Sequence, residues 1–546
     1  MVEQLELDFE AYADLISSDL NEVFIKSFSK KIACDDTAKR IIFKTGLSAY
    51  SPEPMNLFLK GPSSIGKTYI TVQIMRYFPP EDVWFLGGLS PTALIHDYGT
   101  LVDEDGNPID LSEKPKKSDY KNDPEGYRYA RKLWEEKIRN SHYEIVLSNK
   151  ILVFLEAPHI ETYMMLRPLL SHDTSEISYK FTDKTGKGQL RTSHVILKGW
   201  PATIFCTSDV RYIEDLATRG FTITPDMTVE KYKKAARISA QSVAYPENMN
   251  DSEFYRLKGL LSLIIERCKK GFNKVIIPYA IKASELYPAN LPRDMRDFKR
   301  FLTLIQVNAI LNRFNRPILE IHKPQRTEYY ILADFHDLKE AIRICKNLEA
   351  TTKTGIPGNI LDFYNTVVRP LCKERTCVIY KELTEEYNKT HRDKRSTRTI
   401  RNWCDLLSDV GLVNVEPHPD DKRLKVVSLT DGDNEILENY GNFEKYQFFT
   451  LEDFKEWFFE VKNNVGNDLV YIRQKFNKKP TVDFITINKE NFPTLFYSHY
   501  YPLNQKIGKK KGGKSGIAHF PRNLSDYMKE ESEKPKKKVL GRGCYD

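Results

Sequence analysis

The sequence predicts an α/β protein with a parallel central sheet, followed by a smaller domain of helices and two strand-like arms. Three observations lead there. The octapeptide 61-GPSSIGKT-68 lies between an apolar run, 55-MNLFLK-60, and 67-KTYITVQIMRYF-78, in which Ile70, Ile74, Tyr77 and Phe78 recur at helical spacing. Short apolar runs suited to buried strands return at 83-VWFLGG-88, 151-ILVFLEAP-158 and 202-ATIFCTSD-209. From residue 359 the pattern becomes helix, helix, helix and then two arms around a charged turn.

At 546 residues the chain has room for about three or four domains. Its 40% hydrophobic and 29% charged residues are those of a globular protein, and 12% aromatics exclude wholesale disorder. No apolar run reaches the roughly 18 residues of a membrane span, and the acidic N-terminus, MVEQLELDFE, lacks the build of a signal peptide. The expectation is a cytoplasmic, nucleoid-associated protein with no membrane partner. Eight scattered cysteines without a C-x-x-C pair argue against a zinc ribbon or redox dithiol. The net charge of +8 is unevenly placed: from Tyr471 onward 17 Lys+Arg stand against 7 Asp+Glu. The positive charge is a C-terminal property and points to a polyanionic partner there.

The pattern G-x-x-x-x-G-K-[S/T] occurs twice, and context separates the two matches. Around 61–68 the order is strand, loop, helix, so backbone N–H groups can surround a phosphate at a helix N-terminus. Gly61, Pro62, Ser63, Ser64, Ile65, Gly66, Lys67 and Thr68 are therefore candidate ATP-binding residues, with Lys67 on the outer phosphates and Thr68 on Mg²⁺. The second match, 508-GKKKGGKS-515, follows no strand-like block, is crowded with lysines and precedes Pro521. It reads as part of a basic tail.

Beyond the loop, Ser90 and Pro91 suit the start of a helix over 89–99, and a polar insertion at 103–141 precedes the apolar strand 151–158. That strand ends Leu155-Glu156-Ala157, where a Walker B strand usually ends Asp-Glu. Glu156 reads either as the acid that orients attacking water or as the acid on the metal side. In the second case His159 or Glu161 would have to polarise the water. The stretch 177-ISYKFTDKTGKGQLRTSHVILKG-199 alternates apolar and polar residues on both sides of a Gly-rich turn, a β-hairpin with Lys184 and Lys187 at its tip and Arg191 on the return arm.

This order of elements resembles the AAA+ ATPases, and a hairpin just before the last strand is similar to the clade of the minichromosome-maintenance helicases. In that clade the hairpin projects into a ring's channel and grips DNA. The resemblance covers roughly residues 50–320. It implies that Thr207 or Ser208 is the polar sensor, and that Arg219 in Ala-Thr-Arg-Gly-Phe is the arginine finger reaching a neighbouring subunit. It also implies that the helix around 291-LPRDMRDFKRFLTLIQVNAILNR-313 carries a second sensor at Arg296, with Arg293 as the alternative.

After a linker at 351–358, the segments 359–371, 380–389 and 396–412, followed by two arms over 413–429, resemble a winged helix-turn-helix. Its third helix offers Thr397, Arg398, Arg401 and Asn402 for DNA, and its wing offers Lys422 and Arg423. The expected organisation is a helical segment (1–50), an AAA+ P-loop core (51–225), a helical lid (226–350), a winged helix (356–432) and a C-terminal extension with a basic tail (433–546). The leading functional expectation is an ATP-dependent DNA motor acting as a hexameric ring, with ATP and Mg²⁺ as cofactors. An origin-recognition-like ATP switch is the first alternative. An ATPase that remodels a transposase or primase is the second, with 103–141 or the C-terminal extension as the surface for that protein partner.

Overall fold

The computed structural model describes residues 12–486 apart from 17, 89, 159, 184–190, 207–218, 227–228, 246–251, 272, 288–293, 324–325, 348–357, 376–377, 392–393, 410–411, 419–423, 431–448, 450, 466–468 and 477–479. The protein is mixed α/β with a parallel central sheet. Among the described residues no helix is long and apolar enough to cross a membrane.

The central sheet holds β1 (Asn56–Leu59), β2 (Val83–Leu86), β5 (Ile151–Phe154), β8 (Ala202–Cys206) and β9 (Phe221–Ile223) in the order β2-β5-β8-β1-β9. Every neighbouring pair is parallel, so all five carboxyl ends meet at one edge. Strands covered on both faces need apolar side chains on both faces, and β1, β5 and β8 are buried throughout. Phe58, Phe205 and Phe154 lie opposite one another across β1, β8 and β5. Their rings stack at 4.8 and 4.6 Å.

Helix α1 (Leu20–Ser29) packs on α2 (Asp36–Ser48), which covers β1, β8 and α3 (Lys67–Met75). After α4 (Pro91–Tyr98) the insertion begins with β3 (Thr100–Val102) and carries α5 (Pro124–Asn140), a 17-residue helix with no buried residue. It returns through β4 (His142–Val146). On the sheet's phenylalanine face Leu166, Leu169 and Leu170 of α6 (Ile160–Leu170) join Phe58, Phe154 and Phe205 in one core.

The expected hairpin is present as β6 (Glu176–Asp183) and β7 (Arg191–Lys198), paired antiparallel from Glu176↔Lys198 to Asp183↔Arg191. It does not stand alone. β4 pairs in parallel with β7 and antiparallel with β3, giving a second sheet in the order β3-β4-β7-β6. Ile145, Val195 and Leu197 bury this sheet in the same core as the phenylalanine ladder.

The stretch expected as a helical lid is helical only in part. It contains α7 (Val229–Ala244), α8 (Ser252–Lys270), α9 (Asp294–Leu311) and α10 (Phe335–Asn347), but also β10 (Val275–Ile276), β11 (Ile318–Lys323) and β12 (Arg326–Leu332). The segments 318-ILEIHK-323 and 326-RTEYYIL-332 pair as a hairpin, and their β-branched and aromatic content suits a sheet. Two strands of the C-terminal extension, β16 (Leu469–Phe476) and β17 (Pro480–Thr486), complete the order β10-β12-β11-β16-β17.

Further along, α11 (Gly358–Phe363) runs through a π-helical turn, Tyr364–Val368, into Arg369–Glu374. Next come α12 (Tyr380–Thr390) and α13 (Thr397–Asp409). Strands β13 (Val378–Ile379), β14 (Val413–Pro417) and β15 (Lys425–Leu429) form an antiparallel sheet. Phe363, Leu383, Tyr387, Ile400, Trp403 and Leu407 share a core with Val413 and Val427, so the apolar stripe of α13 faces inward.

Gly199 turns the chain out of β7 at φ +86°, and a Cβ there would lie 1.9 Å from Ser148 Oγ and 2.8 Å from Ser148 N. Gly199→Ala is expected to cost about 2–4 kcal/mol, read from the shift of a urea unfolding midpoint. Gly106→Ala is the control: it also sits at positive φ (+83°) but has nothing within 4 Å. It should lose only about 1–2 kcal/mol. Equal losses in the two variants would show that Ser148 yields freely.

Candidate nucleotide site

The chain leaves β1 at Lys60 and turns through Gly61 (φ +125°), Ser64 (φ +69°) and Gly66 (φ +95°) before α3 starts at Lys67. Positive φ at these points turns backbone N–H groups toward one side, the geometry of an anion nest at a helix N-terminus. Gly61 has no room for a side chain, since a Cβ would stand 2.6 Å from Ile65 Cδ1 and 3.1 Å from Thr224 Cγ2. Ile65 is buried and pins the loop, while Pro62, Ser63, Ser64 and Thr68 are exposed. Lys67 is buried, and its Nζ donates to the carbonyls of Gly61 and Pro62 at 2.7 Å each. Burial pushes its ammonium below the usual lysine range.

A second lysine braces the loop from outside. Lys231 of α7 is buried, donates to Ile65 O at 2.9 Å and pairs with Asp35 at 2.5 Å. Asp226 N donates to Asp35 Oδ1 at 2.6 Å, so the loop, the start of α7 and the start of α2 are tied together. This ensemble could hold the phosphates of a nucleotide if the Lys67 ammonium exchanged its two loop carbonyls for phosphate oxygens.

Glu156 leaves the sheet at the same edge. Leu155 N still donates to Leu86 O at 2.9 Å, and Glu156 beyond it is exposed. β8 separates β5 from β1, so two strand spacings put Glu156's strand about 10 Å from the loop's strand. That leaves space for a phosphoryl group, a cation and water, with Thr68 and Glu156 the candidate metal-side oxygens. Cys206, the last residue of β8, lies opposite Leu59 and its thiol donates to Thr71 Oγ1 at 3.4 Å. Thr207 and Ser208 follow it directly and lie outside the described residues, as does His159; Glu161 is exposed on α6.

Arg219 stands at the opposite edge. It precedes β9, whose Phe221 pairs with Leu57. Asn56 Nδ2 donates to Arg219 O at 3.1 Å and to Leu170 O at 2.8 Å, and its Oδ1 accepts from Thr203 Oγ1 at 2.7 Å. At about 3.3 Å per residue, Gly61 lies about 16 Å along the strand from Asn56, farther than an arginine side chain extends. α9 brings Arg296 to the same place: His172, Arg219, Arg296, Lys299 and Arg300 line one cavity of about 190 Å³. Arg296 therefore lies with Arg219 and not with its own chain's phosphate loop. Arg293 lies outside the described residues.

Of the residues read as DNA contacts, Thr397, Arg398, Arg401 and Asn402 are exposed on α13, and Arg401 sits 5.4 Å over the Tyr380 ring. Arg191 is in β7 opposite Asp183. Lys184, Lys187, Lys422, Arg423 and the tail with its second loop pattern lie outside the described residues. No protein family matches the chain, and no curated protein matches it significantly.

Sequence reasoning missed Asn56, His172 and Lys231. An asparagine opening an apolar run and a histidine after a helix are ordinary residues until the fold surrounds them. Asn56→Ala would leave the Leu170 and Arg219 carbonyls and the Thr203 hydroxyl without this partner. The expected loss is about 2–4 kcal/mol, measured by urea unfolding, and a loss below about 0.5 kcal/mol would mean that water replaces all three bonds.

Proposed function

We propose that the protein is an ATP-driven DNA motor, a helicase or translocase whose copies act as a ring. The division of charged groups between two edges of one sheet carries this reading. Lys67, Thr68 and Glu156 belong to one edge, and Arg219 and Arg296 to the other. A hydrolysis site that uses both sets has to be assembled from two copies, and a closed ring supplies such an interface at every subunit. A hexamer is the expected size.

In this reading the N–H groups of 61–68 and the Lys67 ammonium bind the phosphates of ATP. Thr68 would hold Mg²⁺, which neutralises phosphate charge when bound. Glu156, carried out from β5 at the same edge, accepts a hydrogen bond from the attacking water and aims it. Arg219 of the adjoining copy stabilises charge on the transferred phosphoryl group, and its planar guanidinium suits that task better than an ammonium. The placement of β8 between the loop strand and the Glu156 strand, with the hairpin inserted just before it, supports an AAA+ core of the hairpin clade. Three helices against a three-stranded antiparallel sheet, with the basic face of α13 outward, support a winged helix that contacts DNA. The exposed α5, with Tyr129 and Leu133 open to solvent, favours a second reading in which the insertion docks a partner protein that the ATPase remodels.

ATPase assays with and without DNA, beside unwinding of a forked duplex, test the proposal. Lys67→Ala should lower turnover at least about a hundredfold, since each 1.4 kcal/mol is about tenfold; turnover within about twofold of wild type would sink the loop assignment. Mixing Lys67→Ala with Arg219→Ala protein should restore part of the activity, because mixed rings contain interfaces with both groups intact. A mixture that stays inactive although hetero-oligomers form would refute the two-copy site.

The two basic regions should separate in the same assays. Alanines at Lys184 and Lys187 are expected to reduce DNA-stimulated turnover and unwinding more than DNA binding. Deleting 505–546 should instead weaken binding and flatten its log salt dependence by roughly 0.7–0.9 for each phosphate no longer neutralised. Normal unwinding by the double alanine variant would remove the hairpin from the mechanism.

A further inference from the structure

The stretch 231-KYKKAARISAQSVAY-245, which makes up most of α7, has four Lys+Arg and no Asp+Glu. The exposed α5 mixes the signs instead, with five Lys+Arg against three Asp+Glu. α7 is also scarcely packed. Among its described side chains only Lys231 is buried, and Ile238 and Ser242, which follow on the same side of the helix, are half-buried. Most helical stability in a soluble protein comes from a packed face, and a helix of 16 residues is near the limit of what holds in water unaided. α7 therefore leaves a whole face for a partner.

Each residue turns an α-helix by about 100°, so Lys233 and Arg237 lie on the side opposite Lys231, one turn apart, together with Ala236, Ala240 and Ala244. All five are exposed, and among the described residues neither cation has an ion-pair partner. Lys234 is taken up by Glu230 at 2.7 Å. The alanines put no bulk between the two cations and an approaching surface, and Tyr232 and Tyr245, 46% and 60% exposed, stand near the two ends of the helix. Val243 is the one exposed aliphatic side chain larger than alanine among those described on α7. Two unpaired cations with no acid beside them complement a phosphate backbone, whereas a protein partner would find little apolar area to bury.

Lys231 joins this helix to the candidate nucleotide site. Its Nζ donates to Ile65 O and to Asp226 O at 2.9 Å each and pairs with Asp35, so the first turn of α7 hangs on the 61–68 loop by one side chain. We infer that the outer face of α7 binds the DNA backbone through Lys233 and Arg237, and that Lys231 makes the 61–68 loop stiffer when it does. Contacts of this kind meet phosphates and carry no sequence preference. The inference rests on the reading that the protein acts on DNA, but it does not require ATP hydrolysis.

Hydrogen exchange of the full chain, followed by mass spectrometry with and without a forked duplex and with no nucleotide present, tests it. DNA should slow exchange over 229–245 and over 61–70 by at least about threefold and leave α5 unchanged. Replacing Lys233 and Arg237 together by alanine should abolish both effects. The same double variant should bind the duplex about tenfold more weakly at low salt, with the log salt dependence flattened by roughly 1.4–1.8 for the two contacts. Equal protection of α5 and α7, or protection of 229–245 retained in the double variant, overturns the inference. So does protection that grows with protein concentration in the absence of DNA, which would give the face to a second copy. If 229–245 is protected and 61–70 is not, the DNA face stands and its link through Lys231 falls. A wild-type chain that binds the duplex without protecting α7 sinks this inference alone, and one that binds no duplex sinks the DNA reading with it. Protection of α7 in a chain without ATPase activity leaves the inference standing and removes the motor.

Discussion

Three phenylalanine rings, Phe154, Phe205 and Phe58, stacked in register across β5, β8 and β1, are the contact on which the remaining geometry depends. Side chains in a strand alternate faces, so a slip of one residue in any of these strands would turn its ring to the other face. With the rings aligned, the three strands end level. Leu59 and Cys206 are then partners, and Leu155 continues to pair with Leu86. The loop at 61–68 and Glu156 leave the sheet at the same edge, two strand spacings apart, because of that alignment.

The same polarity forces a second cluster onto the other edge. Asn56 begins β1 and gathers the end of α6, the start of β9 and Thr203 of β8 through three side-chain hydrogen bonds. Arg219 is held there through its own carbonyl. A short strand thus separates Lys67 and the 61–68 loop from Arg219. Parallel strands keep the two apart within one chain, so the proposed two-copy site is the arrangement that strand direction leaves open.

Much of the edge that carries the 61–68 loop was legible in the sequence, because glycines at 61 and 66, an apolar strand before them and a helix after them are local signals. The strands at 151–154 and 202–206 and the hairpin at 176–198 were legible for the same reason: each carries its own burial pattern. What was not legible depends on partners far along the chain. β3 and β4 are short, and 142-HYEIV-146 becomes a strand by lying beside β7. β16 and β17 come from a stretch read only as part of a C-terminal extension, and they complete a sheet begun near residue 275. Likewise, the helical pattern over 294–311 identified α9, yet where its arginines lie follows from tertiary packing. Asn308 illustrates the limit: in the sequence it is one polar residue within an apolar stretch, and the fold uses it to accept a bond from buried Lys44 and to donate to Asp337 O.

The root of the hairpin shows how stiff the link between the two sheets is. Ile145, Val195 and Leu197 are fully buried in the core that contains the phenylalanine ladder. Protein interiors are packed like crystals, so this face of the second sheet cannot slide without displacing the ladder itself. β6 and β7 therefore move with the central sheet as one body, or turn about the short connections at 171–175 and 199–201. At those connections stand the residues that break ordinary backbone rules, His172 at φ +58° and Gly199 at φ +86°. The His172 ring lies 5.0 Å from the Trp200 ring, and Ser148 packs where a side chain at 199 would stand. Strain this localised, at the two points where one packed sheet joins another, marks the connections as the places where the hairpin can turn without disturbing the core.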